Sequence, residues 1–370
     1  MQPTFESYRP MFDRPLLNRP MLHRPMSHPG VRGFSLLELM VAIAISLLLL
    51  MGVIALFVSS RASYETTERL SRVQENGRFA LEQITTDVRA TGYQGCARAV
   101  NTSRRVDYAI NQLNNANTLL WNFPVVVQGF DGRGNSFAPA LNTADFEPAP
   151  SPDGDVLVLR IPRREAQALY TTAPANPSDP LPVPNVNPAP LAPGDIAMIT
   201  DCEARAWFQV TTYGSGVITH DEGGPEPGNA SGSLLHPFKA NSQVVPVETV
   251  IYYLAPSEDN PERMSLWRKT GANPSDEIAD GIERLEVQYG FDGPGGFSYV
   301  DASAVTNWDN VSTVQIAVLA RAPDAYGNDL DTQQHVLFAA PVQVTAGPFN
   351  DRFQRKVFTA TVAVRNQIIG

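Results

Sequence analysis

The sequence predicts an α+β fold: a long N-terminal hydrophobic α-helix, membrane-spanning in its first half, packed on a C-terminal antiparallel β-sheet domain with long loops. Three observations carry this expectation. An unbroken apolar run covers residues 34–58, an apolar stripe at helical spacing continues it, and β-type segments separated by turn residues fill the remainder. The 370 residues are 43% hydrophobic and 18% charged, which supplies a real core and excludes wholesale disorder. The 31 Pro and 26 Gly favour a β-rich body with many turns over a helical bundle. Twenty-eight Lys and Arg stand against 38 Asp and Glu, a net charge of −10. Such a chain lacks the basic surface that phosphate neutralisation demands, so no nucleic acid partner is expected for its bulk.

Residues 1–33 form a basic leader in which Arg-Pro recurs every five residues, at Arg9, Arg14, Arg19 and Arg24. Each proline removes a donor and restricts its predecessor, so no regular helix is expected there. Met26 is a second candidate start beside Met1. The apolar run from Phe34 to Val58 follows, long enough at about 1.5 Å per residue to cross the ~30 Å hydrocarbon layer. An ordinary secretory signal places its small-residue cleavage site after the apolar core. Here Gly33 precedes the core, so cleavage after it removes the leader and leaves the helix on the mature chain. Arg19, Arg24 and Arg32 before the helix and the acidic body after it place the N-terminus in the cytoplasm and the body across the membrane. In a Gram-negative cell that compartment is the periplasm.

Glu38 is the one ionisable residue inside the run. An ionised acid well inside a bilayer costs on the order of 2.5–3.5 kcal/mol on insertion scales. Two readings stand. Glu38 reaches the interface from the helix end, or it meets the free amine that cleavage creates on Phe34 of a neighbouring subunit, offsetting the desolvation of both.

The segment Gly33-Phe34-Ser35-Leu36-Leu37-Glu38-Leu39-Met40-Val41-Ala42 resembles the type IV prepilin signature. In that family a membrane aspartyl peptidase cuts between the Gly and the aromatic residue and methylates the new amine. The resemblance implies cleavage at Gly33–Phe34, N-methylation of Phe34 and an assembly carboxylate at Glu38. Pilins and type II secretion pseudopilins share this signature. The segment from Arg69 to Glu82, the run Thr91-Gly92-Tyr93-Gln94-Gly95-Cys96, Trp308 with Val311 to Val318, and the closing Arg355 to Asn366 are similar to the PilW family of minor pilins. No family pattern is recognised over 101–270.

This resemblance implies a pilin-like fold and a minor pilin that primes or joins type IV pilus assembly, with no enzymatic activity and no cofactor. The implied partners are other minor pilins and the major pilin, the prepilin peptidase, the inner-membrane assembly platform and membrane lipid. The implied location is a single-pass inner-membrane protein with a periplasmic C-terminal domain, and incorporation in the pilus is a further implication. A J-type pseudopilin of type II secretion and a pilus-tip adhesin or ligand-binding module are the alternatives. The expected divisions are the cleaved leader 1–33, a transmembrane and assembly helix 34–58, its amphipathic continuation 59–95, and a β-rich domain 96–370 with a Pro-rich loop at 172–194.

Beyond the membrane, Leu70, Val73, Gly77, Leu81, Ile84 and Val88 recur at steps of three and four and define one apolar stripe. Glu65–Arg69 and Glu68–Arg72 are i,i+4 pairs in the favourable order. Gly77 lies inside the stripe, where a small residue permits close approach of a sheet or another helix. Gly92 and Gly95 are expected to stop the helix.

Strands are predicted at 155–161, 196–200, 206–212, 244–254, 285–289, 314–319 and 357–364 from β-branched and apolar runs. The stretch from Pro174 to Pro193 reads as a Pro-rich surface loop, Asp221 to Ser233 as another, and Ser275 to Gly281 as a short helix capped by Ser275. Asp131-Gly132-Arg133-Gly134-Asn135 reads as a turn. So does the acidic stretch with Asp324, Asn328, Asp329 and Asp331, whose spacing does not fit a calcium loop.

Cys96 and Cys202, the only cysteines, are expected to pair as a disulfide in an oxidising periplasm. His220, His236 and His335 are scattered, no catalytic or metal-ligand spacing appears, and no phosphate-binding or dinucleotide motif is present.

Overall fold

Helix α1 runs from Leu36 to Ala90, 55 residues. In this computed structural model the described residues are 33–93, 95, 108–164, 166–173, 175–201, 203–293, 296–325, 327–339 and 342–364. Leader residues 1–32 and both cysteines lie outside them. The chain divides into two compact units, one ending at Arg61 and the other beginning at Ala62. In the first unit α1 is apolar on every side and exposed throughout. In the second it is amphipathic, burying Val73, Gly77, Ala80, Ile84 and Val88. Both i,i+4 pairs form, at 3.7 Å for Glu65–Arg69 and 2.8 Å for Glu68–Arg72. The helix stops where Gly92 turns left-handed at φ 76°, a conformation that favours glycine.

Strands β1 (Tyr108–Asn111), β2 (Val127–Gly132), β3 (Phe137–Ala138), β4 (Val156–Pro162), β5 (Leu169–Tyr170) and β6 (Leu181–Pro182) come next. Then follow β7 (Ile196–Thr200), β8 (Ala204–Gln209), β9 (Thr212–Gly214), β10 (Val217–Thr219), β11 (Gln243–Pro256), β12 (Met264–Thr270) and β13 (Ser275–Asp280). The last are β14 (Ile282–Gly293), β15 (Gly296–Val300), β16 (Thr313–Arg321), β17 (His335–Phe338), β18 (Val344–Ala346) and β19 (Arg355–Ala363).

The large sheet is ordered β1-β8-β7-β11-β4-β2-β3, with β12 and β13 continuing from β11 and β5 also pairing with it. All its ladders are antiparallel except β1 with β8. A second antiparallel sheet is ordered β15-β14-β16-β19. Two smaller sheets, β6-β10-β9 and β17-β18, complete the set.

The main core lies where α1 meets both large sheets. Val73, Ala80, Ile84 and Val88 pack with Leu157, Leu159, Ile161, Tyr252 and Leu254 of the first sheet and with Leu285, Val287, Ile316, Val318 and Val362 of the second. Strand β4 is apolar on both faces apart from the buried Arg160, because its other face is covered too: Val156 and Val158 pack with Phe130, Phe146, Tyr253 and Trp267. Asp155 joins the two sheets. Its carboxylate accepts from the backbone N–H of Gly132 at 2.9 Å and of Val287 at 2.8 Å, and its own N–H donates to the Leu285 carbonyl at 2.8 Å.

Two expectations need correction. Ser275 to Gly281 is no helix: Ser275–Asp280 is strand β13, pairing antiparallel with β12 from Lys269↔Ser275 to Ser265↔Asp280. Pairing to the open edge of β12 outweighs the weak strand propensity of Ser-Asp-Glu-Ile-Ala-Asp. The Pro-rich segment is more than a surface loop. Leu181, Val183 and Leu191 within it are buried in a second core with Ile199, Phe208, Ile218, Leu234 and Phe238. The 131–135 segment does form the β2–β3 turn, closed by Arg133 N–H to the Ser136 carbonyl at 2.9 Å.

Candidate assembly site on the N-terminal helix

The sequence locates the site at Gly33, Phe34 and Glu38, and all three are exposed. Phe34 is 83% exposed, and nothing stands within 4 Å of where a Cβ on Gly33 would be. Ser35 caps the helix: its Oγ accepts from Leu37 N–H at 3.2 Å, and its carbonyl accepts from Leu39 N–H at 3.1 Å. Glu38 lies in the first turn. Ser35-Leu36-Leu37-Glu38 therefore has the Ser-x-x-Glu spacing of a capping box, a signal legible in the sequence beside the assembly reading. A carboxylate here also faces the positive end of the helix dipole.

From Leu36 to Val58 every large apolar side chain of α1 is at least half exposed. Among the described residues α1 is the one helix long and apolar enough to cross a membrane. A helix apolar all round requires lipid or other apolar helices about it.

Within the second unit, two contacts fix α1 to its sheets. At Gly77 a Cβ would stand 2.2 Å from the Phe358 ring of β19, so a side chain fits there only if that half-buried ring moves. At Asp87, which the sequence reading did not single out, a fully buried carboxylate accepts from Tyr252 Oη at 2.6 Å and from Arg164 Nε at 2.8 Å. Arg268 approaches the same carboxylate at 3.4 Å. Burial and the adjacent Asp87 charge push the Tyr252 phenol up. Glu248 lies 3.6 Å from Arg268 and 3.9 Å from Arg163, yet burial holds its carboxyl above the usual range.

At the far end of the second sheet, Arg355 carries three carboxylates, Glu283 at 2.5 Å, Asp351 at 2.6 Å and Asp331 at 3.0 Å, with its guanidinium 3.8 Å above the Phe349 ring. Asp331, expected in a plain turn, is thus a strut, and it also meets His335 at 2.9 Å. His220 is buried edge-on against Phe208, and burial pulls its pKa down. Among the described residues one group of His and carboxylate side chains has metal-ligand proximity, Asp201, Glu203 and His236.

A prepilin-type N-terminus on an exposed apolar helix, continued onto an antiparallel sheet domain, defines the class: a membrane-anchored, type IV pilus-related pilin. The family model for the prokaryotic N-terminal methylation motif matches residues 29–54, and that for type IV pilus-assembly protein W, PilW, matches residues 251–366. The two matched regions are those of a type IV pilus minor pilin of the PilW family. The second match runs from within β11 through β19, the strands that supply much of the core beneath α1. No curated protein and no solved structure matches the chain.

Proposed function

We propose that this chain is an inner-membrane prepilin that prepilin peptidase cuts between Gly33 and Phe34 and methylates at Phe34, after which it primes or joins type IV pilus assembly. The observation that carries the reading is the exposed apolar face of α1 with one acid, Glu38, four residues after Phe34. In the bilayer that face meets lipid; in the fibre it meets sister helices. The methylated amine of one subunit stays cationic and pairs with Glu38 of a neighbour, which sets the axial register and offsets the cost of burying both charges. The partners are other minor pilins, the major pilin and the inner-membrane assembly platform. The sheet domain lies in the periplasm, where it caps or initiates the filament, and the role is assembly rather than catalysis.

A Cys96–Cys202 disulfide belongs to the same proposal. It has the support of the adjacent described residues, since a Cβ on Gly95 would stand 2.3 Å from Thr200 Cγ2. Closing a loop of this length stabilises by about 4–5 kcal/mol in the chain-entropy model.

The test is Glu38→Val in the native host. Membrane insertion is expected to be retained while surface piliation and twitching motility fall. Unchanged piliation contradicts the register role. Deletion of the gene separates the alternatives: loss of protein secretion with normal twitching points to a J-type pseudopilin, and a ligand-binding defect with normal piliation points to a tip adhesin.

A further inference from the structure

We propose that Asp201, Glu203 and His236 form a binding site for a first-row transition-metal dication of the zinc class. Asp201 and Glu203 stand on the turn between β7 and β8, and His236 reaches them from the loop that leads into β11. One ligand atom from each lies within 4.8 Å of the others. Asp201 Oδ2 and His236 Nε2 are 3.0 Å apart. The two atoms are hydrogen-bonded to each other, and donors held about 2.0–2.2 Å from a tetrahedral ion stand roughly 3.3–3.6 Å apart, so a separation wider by a few tenths of an ångström admits the ion in place of the shared proton.

Two of the three donors are held in place, while Glu203 is exposed and closes the site from the solvent side. Asp201 Oδ1 accepts from the backbone N–H groups of Glu203 and Ala204, both at 2.8 Å, which leaves Oδ2 directed at the imidazole. The His236 ring stands edge-on to Phe238, centroids 4.8 Å apart, and Phe238 is itself buried in the second core. One imidazole nitrogen with two carboxylate oxygens suits zinc better than calcium or magnesium, which take oxygen sets. Lys239 occupies the outer side of the cluster through its ion pair with Glu203. That side chain is 62% exposed and can swing away when a dication takes its place. The bound ion would tie the 231–242 loop to the β7–β8 turn. His236 lies 33 and 35 residues beyond the two carboxylates along the chain, so no spacing motif announces the set.

The experiment titrates zinc chloride into the full-length protein in detergent micelles, following heat of binding and thermal unfolding, with calcium chloride as the comparison ion. Wild type is expected to take up one zinc ion and to unfold at higher temperature, reversed by a chelator, with no comparable shift from calcium. His236→Gln should weaken zinc binding at least tenfold, whereas Lys239→Met, which removes the competing ammonium, should bind zinc at least as tightly as wild type. Absence of zinc uptake by wild type overturns the proposal. So does zinc binding by His236→Gln equal to that of wild type, which would assign the uptake to other groups, or an equal response to calcium.

Discussion

Gly77 sets how closely α1 approaches β19. A methyl group there would favour the helix by roughly 1 kcal/mol from propensity alone, but the Phe358 ring occupies that space. Gly77→Val is therefore expected to destabilise the folded domain by about 1–3 kcal/mol through overpacking, measured as a lower urea midpoint. In a Phe358→Ala background the same substitution should cost little, and an equal cost in both backgrounds would show that the ring is not the obstacle. Glu286 offers a second test at this scale. Burial, with Asp301 and Asp131 nearby and against the pull of Arg284, raises its carboxyl to about 7. Asp155, which joins the sheets beside it, is raised in the same direction, chiefly by burial. The folded state then binds protons that the unfolded state releases, so stability falls as pH rises through this range. Burial pulls His220 down, so it acts with the opposite sign in the same window, and the comparison with Glu286→Gln isolates the carboxyl. Between pH 8 and 5 the wild-type unfolding midpoint should gain more on acidification than that of Glu286→Gln, and the variant should be the more stable at pH 8; the same pH trend in both proteins contradicts the assignment. Asp351, held low by the hydrogen bonds of Arg355, acts with the opposite sign only below the ordinary carboxylate range.

At the scale of elements, the legible parts were those where local pattern and tertiary burial agree. The stripe Val73, Gly77, Ile84 and Val88 faces the core, and strands β4, β7, β11, β14, β16 and β19 fall on apolar or alternating runs. Leu70, on the same stripe, remains 39% exposed because the stripe extends past the sheets that bury it. Two kinds of feature were hidden. β13 is a polar segment made a strand by its neighbour, and a neighbour 6–15 residues away in register has no signature in local propensity. Asp87 reads as a solvated helix acid, yet it is buried because Arg164, Tyr252 and Arg268 arrive from 77, 165 and 181 residues away. The His236 and Asp201 pair was hidden for the same reason. At the candidate site the case is reversed. Gly33, Phe34 and Glu38 are contiguous with the apolar run, so their relation is written in the chain itself, and the structure adds the Ser35 cap.

For the molecule as a whole, the two units obey opposite rules. Residues from Ala62 onward bury their apolar side chains around α1 and the sheets, as a folded domain in water must. The unit ending at Arg61 presents an apolar helix exposed on every side. That surface has a physical rationale only if a membrane, and later a bundle of like helices, takes the place of water. Under the proposed maturation, removal of the leader at Gly33 would make the helix N-terminus itself part of the assembling surface. The most direct measurement is mass spectrometry of the mature protein's N-terminal peptide, purified from host membranes. A chain beginning at Phe34 and heavier there by one methyl group is the predicted result. A mature chain that still carries the leader, whether from Met1 or from Met26, contradicts the account.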